Sequence, residues 1–113
     1  MPLIVVNLTP HAISIFSAEG AEYVYAPSRT PVRVSTMPGK ALPLDLPFPV
    51  TAAATLGPVV GLPEPEAGVI FVVSGMVATA CKGRFDVFSH GELIRDEKGQ
   101  PVGCRGLVQA PMV

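Results

Sequence analysis

The stretch VIFVVSGMVATACKG, residues 69 to 83, places an unbroken apolar run directly before a serine–glycine pair. A continuous run of β-branched and aromatic residues is typical of a strand that is buried on both faces. Ser74 is a good N-cap residue, and Gly83 lies near the expected C-cap. The stretch therefore predicts a buried strand, Val69 to Val73, followed by a helix of about two turns.

The first third of the chain contains four candidate strands. Residues 3–8 form a β-branched run and residues 22–26 carry two tyrosines and a valine, whereas residues 12–16 and 31–36 alternate apolar and polar residues. A period of two is typical of half-buried strands. We therefore predict four strands joined as an antiparallel meander.

The motif NLTPH, residues 7 to 11, separates the first two of these strands. Thr9 precedes a proline and is biased to an extended backbone, while Pro10 has a fixed φ. The Asn7 side chain can bond the backbone two residues further on. The motif is thus predicted to be a tight connection between two paired strands, held by Asn7 and Thr9 with a smaller contribution from His11.

The middle of the chain, Met37 to Pro65, is rich in proline and poor in charge. Proline removes backbone donors, so this segment cannot lie inside a sheet throughout. We predict a wandering loop with one edge strand at Val50 to Leu56. An alternative interpretation makes Thr51 to Leu56 a helical turn.

The last quarter of the chain predicts a closing hairpin. After a strand containing Phe85, Val87 and Phe88, residues 92–95 and 101–107 flank the polar turn Asp96 to Gly99. Taken together, the elements predict a mainly β (α+β) fold, a single antiparallel β domain with one short helix that spans residues 1–113.

Composition argues against several classes of function. The net charge is −1 and the arginines are spread along the chain, so no basic stripe exists to bind nucleic acid. No segment reaches the roughly 18 apolar residues that cross a bilayer, and the N-terminus lacks the basic region of a signal peptide. We expect a cytoplasmic protein with free thiols at Cys81 and Cys104.

The predicted helix start is one candidate ligand site. Its free backbone N–H groups at Gly75, beside the Ser74 hydroxyl, can hold an anion or a phosphate. The simpler interpretation is an ordinary N-cap, because neither a glycine-rich loop nor a Walker-type lysine is present. Arg84 and Asp86 lie on one face of the next strand, where they either form a surface ion pair or bind a polar ligand bidentately.

Catalytic and metal sites find little support in the pattern. The histidines, His11 and His90, do not have zinc-ligand spacing relative to the two cysteines. Nothing marks Cys81 as an activated nucleophile, and Ser74 lacks the context of a nucleophile elbow. We therefore predict no catalytic residue, no metal and no cofactor.

Three blocks of the sequence carry a resemblance to a group of proteins. The opening NLTPHAI, the block GLPEPEAGVIFVVSGMVATACKGRFDV and the closing RDEKGQPVGCRGL resemble small, uncharacterised proteins encoded by tailed phages and prophages. The similarity leaves out most of residues 19–58 and carries no assigned catalytic residue. It implies a phage-encoded protein that acts in a host cytoplasm.

The functional prediction is a non-enzymatic accessory protein that binds a small anionic, nucleotide-like molecule or a host protein. Alternatives are a small enzyme acting on a nucleotide or metabolite and a minor virion assembly protein. If the ligand is a nucleotide, we expect Ser74 and Gly75 to bind its phosphate and Arg84 and Arg95 to supply positive charge. Asp86 or Asn7 would then bind the hydroxyls or the base edge of the nucleotide.

A last prediction concerns assembly. Leu42, Leu44, Leu46 and Phe48 lie in the proline-rich segment with little charge around them. Exposed apolar patches of this kind usually mark an interface. The sequence therefore predicts a homo-oligomer, most simply a two-fold dimer.

Overall fold

A computed structural model describes residues 3 to 112, which are mostly β with one short helix, as predicted. In chain order the elements are β1 (Ile4–Asn7), β2 (Ile13–Phe16), β3 (Glu22–Tyr25), β4 (Arg33–Met37), β5 (Thr55–Val60), β6 (Val69–Val72), α1 (Gly75–Ala80), β7 (Val87–Arg95) and β8 (Pro101–Gln109).

Six of the strands form one mixed sheet in the order β1-β6-β7-β8-β2-β3. The β1–β6, β6–β7 and β8–β2 pairs are parallel, whereas β7–β8 and β2–β3 are antiparallel. The sheet is therefore not antiparallel throughout. α1 joins the parallel strands β6 and β7, and it contacts β7, β4 and β5.

The strands on either side of the NLTPH motif do not pair with each other, so the predicted hairpin is wrong. β1 pairs with β6 in the register Ile4↔Val69 to Asn7↔Val72, and β2 pairs with β3 and β8. The physical reason is burial: the apolar run of β1 lies beside the most apolar strand of the chain.

The predicted meander is correct only for the hairpin of β2 and β3. β4 leaves the main sheet and forms a second, two-stranded sheet with β5, in which Arg33 lies opposite Val60. The predicted edge strand overlaps β5 at Thr55 and Leu56 alone, and the alternative helical turn is wrong.

The core lies where α1 packs between the main sheet and the base of the second sheet. Its buried members are Leu8, Val32, Phe71, Val73, Val77, Ala78, Cys81, Val87 and Ala110. α1 begins after Ser74, whose hydroxyl accepts the Val77 N–H at 3.3 Å as predicted, and its C-cap is Cys81. The helix therefore connects both sheets to one core.

The closing hairpin of β7 and β8 is confirmed. Its turn is held by Asp96 Oδ1, which accepts the Lys98 and Gln100 N–H groups, both at 2.9 Å. Gly106 interrupts β8 with a φ of +69° beside Gly91. A positive φ inside a strand bends it locally, which helps the sheet to curl.

The curled sheet nearly closes on itself, because its two edge strands approach each other. Asn7 Nδ2 at the end of β1 donates to the Tyr25 carbonyl of β3 at 3.2 Å. Beyond β3, Ser28 N–H donates to the Thr9 carbonyl and Val32 N–H to the Leu8 carbonyl, both at 3.0 Å. The chain after β3 thus runs along the NLTPH loop, residues 7–11.

Residues 38–54, between β4 and β5, form an extension that we call the arm. Its two sides are joined by the Ala41–Thr51 bridge and by the Leu42 N–H, which donates to the Val50 carbonyl at 2.8 Å. The molecule measures 58 × 39 × 27 Å, with a radius of gyration of 17.2 Å. A compact chain of this length would have a radius of gyration of about 13 Å.

Candidate functional site

A groove of about 800 Å³ lies where the NLTPH loop, the second sheet and the start of α1 meet. Its lining includes Pro10, Pro31, Arg33, Val60, Ser74 and Met76. The walls are mostly apolar, and they come from elements that the core holds together. Concave sites with apolar walls and a few polar groups are typical of small-molecule binding.

Arg33 supplies positive charge to this groove. It is exposed, and within residues 3 to 112 no carboxylate forms an ion pair with it. The Ser74 hydroxyl accepts the Val77 N–H and keeps its own proton for another acceptor. The groove lining therefore combines a guanidinium and a hydroxyl donor with mostly apolar side chains.

Arg84 and Asp86, both predicted as ligand-binding residues, bind each other. Arg84 Nε donates to Asp86 Oδ1 at 2.8 Å and Arg84 Nη2 to Asp86 Oδ2 at 2.9 Å. A further bond runs from Arg84 Nη2 to the Pro63 carbonyl at 3.0 Å. Asp86 is 3% exposed, so its carboxylate is a buried group neutralised within the chain.

This ion pair fixes the charge of both partners. The hydrogen bonds from Arg84 lower the pKa of Asp86 against the opposing effect of burial, and the same bonds raise the pKa of Arg84. The pair ties the turn before β7 to the segment around Pro63. The pair has a structural role, because the Nε and Nη2 donors of the Arg84 guanidinium are already hydrogen-bonded within the chain.

The remaining predicted site residues are spread over the molecule. Arg95 lies at the β7–β8 turn, where it donates to the Gly99 carbonyl at 2.9 Å. Gly75 is the first residue of a helix of only six residues. Of the predicted set, Ser74 lines the groove, whereas Asp86 lines a separate apolar cavity of about 370 Å³.

Asn7 is buried within the NLTPH loop and uses both ends of its amide there. Nδ2 donates to the His11 carbonyl at 2.8 Å, in addition to the Tyr25 carbonyl. Oδ1 accepts the Thr9 N–H at 2.9 Å and lies 2.6 Å from the Thr9 hydroxyl oxygen. The predicted bonding of Asn7 and Thr9 to the backbone is confirmed, although the loop does not join paired strands.

The cysteines and histidines lie apart from the groove lining. Cys81 and Cys104 are buried and free, and burial raises the pKa of the Cys81 thiol. Within residues 3 to 112 no three His, Cys, Asp or Glu side chains are grouped to hold a metal ion. Among residues 3 to 112, no helix has the length and apolar character that crossing a membrane requires.

Comparison of the chain with protein-family models, with curated proteins and with solved structures found no match.

Arg33 is the charged groove residue, and the sequence alone does not single it out as a site residue. In the sequence Arg33 is only the polar member of an alternating strand, because other residues that line the groove lie at distant positions such as 10, 60, 74, 76 and 77. An isolated arginine carries no local signal of a site. Only the packing of β4 beside α1 shows that this arginine shares a groove with Ser74.

Proposed function

We propose that the protein is a non-enzymatic binding protein whose groove holds a small molecule with an anionic group and an apolar part, such as a nucleotide-like compound. The observation that carries the proposal is that Arg33, which forms no ion pair within residues 3 to 112, lines the same apolar groove as Ser74. A guanidinium makes charge-assisted, bidentate hydrogen bonds to phosphates and carboxylates. The apolar walls then bind a base or another flat, weakly polar group.

The resemblance of both chain ends to phage-encoded proteins supports a biological setting for this activity. A phage accessory protein of this kind would act in the host cytoplasm, where it would sequester a small signalling molecule. Sequestration requires binding alone. Arg33 takes the role in anion binding that the sequence suggested for Arg84.

A thermal-shift screen with nucleotides and cyclic nucleotides tests this function. A ligand at a hundred times its dissociation constant should stabilise the protein by about 2.7 kcal/mol. Arg33→Ala should abolish the shift. Arg29→Ala removes the same charge from an exposed position outside the groove lining, and it should leave the shift unchanged.

Mass analysis of the recovered compound separates binding from turnover. An intact compound agrees with a binder, whereas a cleaved product would place the protein among the enzymes. Equal losses in Arg33→Ala and Arg29→Ala, or no stabilisation by any anion in the panel, would contradict the groove as an anion site.

A further inference from the structure

We propose that two copies of this chain clasp each other, with the arm tip of each copy lying in the groove of the other. The arm tip is defined as residues 42–48, whose sequence is LPLDLPF. This inference concerns assembly and does not depend on the small-molecule function proposed above. It rests on surface area, on the composition of the tip and on charge complementarity.

The single chain exposes more surface than a compact protein of its mass. Its accessible area is 8041 Å² for 11.8 kDa. A compact monomer of this mass would expose about 5,900 Å². The excess exceeds the roughly 800 Å² per partner that a standard interface buries. The arm, whose residues are mostly exposed, contributes to this excess.

The arm tip is built to bury side chains, not to extend a sheet. Leu42, Leu44, Leu46 and Phe48 are 42%, 55%, 49% and 58% exposed, respectively. Prolines at 43 and 47 remove backbone donors that an added strand would need. The Leu44 and Leu46 N–H groups are already bonded, to the carbonyls of Leu42 and Leu44 at 2.9 and 3.0 Å. A groove that accepts leucine side chains is therefore the fitting partner.

The tip and the groove are complementary in charge as well as in polarity. Asp45 is the one charged residue of the tip, and it forms no ion pair within residues 3 to 112. Arg33 is the one arginine or lysine among the groove-lining residues, and it too is unpaired. In the proposed dimer, an apolar arm tip with one carboxylate would therefore lie in an apolar groove with one guanidinium.

The arm tip cannot reach the groove of its own chain. Arg33 lies at the start of β4, opposite Val60, whereas the arm begins beyond the other end of β4, where the Ala41–Thr51 bridge holds its two sides together. A second copy, placed with its arm antiparallel to the first, brings the arm tip of each copy to the start of β4 in the other copy. This arrangement has two-fold symmetry and closes after two copies.

Charge reversal at the two positions tests the clasp by sedimentation equilibrium. The wild-type chain should have twice the mass of the 11.8 kDa chain. Arg33→Asp and Asp45→Arg should each raise the dimer dissociation constant at least about tenfold, because each places like charges together. An equimolar mixture of the two variants should dimerise again, since both contacts then join opposite charges.

Two further variants serve as controls. Arg29→Asp makes the same charge change outside the groove lining and should dimerise like the wild type. The double change Leu44→Ser with Phe48→Ser should give a monomer with unchanged circular dichroism, because both side chains are exposed. A monomeric wild type, or a mixture that stays monomeric while both variants remain folded, would overturn the clasp.

The ligand screen on the Asp45→Arg variant keeps this inference separate from the proposed function. That variant retains Arg33 and an open groove, so a groove ligand should stabilise it whether or not the wild type dimerises. If both proposals hold, the ligand and the partner's arm exclude each other, and a saturating ligand should shift the wild type toward the monomer mass.

Discussion

Asn7 illustrates how one buried side chain can connect distant parts of the chain. Its amide holds the NLTPH loop through Thr9 and His11, and it also reaches the Tyr25 carbonyl of the opposite edge strand. Buried polar groups that lose a partner cost about 1–3 kcal/mol. The motif therefore has a structural role that the surrounding strands do not duplicate.

We expect Asn7→Ala to lower the free energy of unfolding by about 2 kcal/mol, because the Tyr25 carbonyl and the Thr9 N–H both lose their side-chain partner. Thr9→Val, which keeps the Thr9 N–H bond to Asn7, should cost about 1 kcal/mol. Urea unfolding measures both values. Two variants of unchanged stability that had lost ligand binding would instead make the motif a ligand site.

The ion pair of Arg84 and Asp86 should give the protein a distinct response to acid. The folded-state pKa of Asp86 lies below its value in the unfolded chain, which is about 3.9. The unfolded state therefore binds the proton more readily than the folded state does. The ion pair contributes its full stabilisation at pH values above the unfolded-state pKa. The stabilisation is lost as the pH falls from about 4 through the lower, folded-state pKa.

Unfolding measured between pH 7 and pH 2 should show a smaller acid-induced loss of stability in Asp86→Asn than in the wild type. At pH 7, Arg84→Ala should destabilise the protein more than Asp86→Asn does. We expect Arg84→Ala to cost about 3 kcal/mol relative to the wild type, because it leaves a buried carboxylate without its cation. Identical pH profiles for Asp86→Asn and the wild type would contradict this role of the ion pair.

At the scale of the elements, β8 depends on glycine where it bends. Gly106 has a left-handed φ with open space around its α-carbon. Gly91 is limited by space and not by backbone conformation, since a β-carbon there would collide with the carbonyl oxygens of Arg105 and Gly106. The two glycines thus meet different requirements, one of conformation and one of space.

Alanine substitutions should separate these requirements by their size. Gly106→Ala should cost about 1 kcal/mol from backbone conformation, and Gly91→Ala about 3 kcal/mol from the collision. Gly75→Ala is the control, because Gly75 lies at the start of α1 with open space around it. It should stabilise the protein by about 0.5 kcal/mol. In thermal unfolding, Gly75→Ala should therefore have the highest melting temperature of the three variants, Gly106→Ala the next and Gly91→Ala the lowest.

For the whole molecule, local chemistry predicted the elements better than their partners. The cap at Ser74, the turn at Asp96 and the bonding of Asn7 depend on residues a few positions apart, and the sequence predicted all three. The partner of β1 depends on which distant strand buries it best. Nothing within the NLTPH loop contains that information.

The candidate site shows the same limit. Ser74 could be recognised as a hydroxyl at a helix start, but its neighbours in the groove come from four separate segments. The sequence predicts that Arg84 and Asp86 share one face, and the structure pairs them. Whether their charges were available to a ligand depended on burial and on the Pro63 carbonyl, which only the fold determines.

The parallel pairing of β1 with β6 also bears on how the chain folds. Ile4 meets Val69, so β1 cannot pair until the chain has been synthesised well beyond its middle. Closing so long a loop costs entropy that the β7–β8 hairpin, with its short turn, avoids. High contact order of this kind is associated with slow folding. β1, which is synthesised before the other strands described here, is thus among those that must wait longest for a partner.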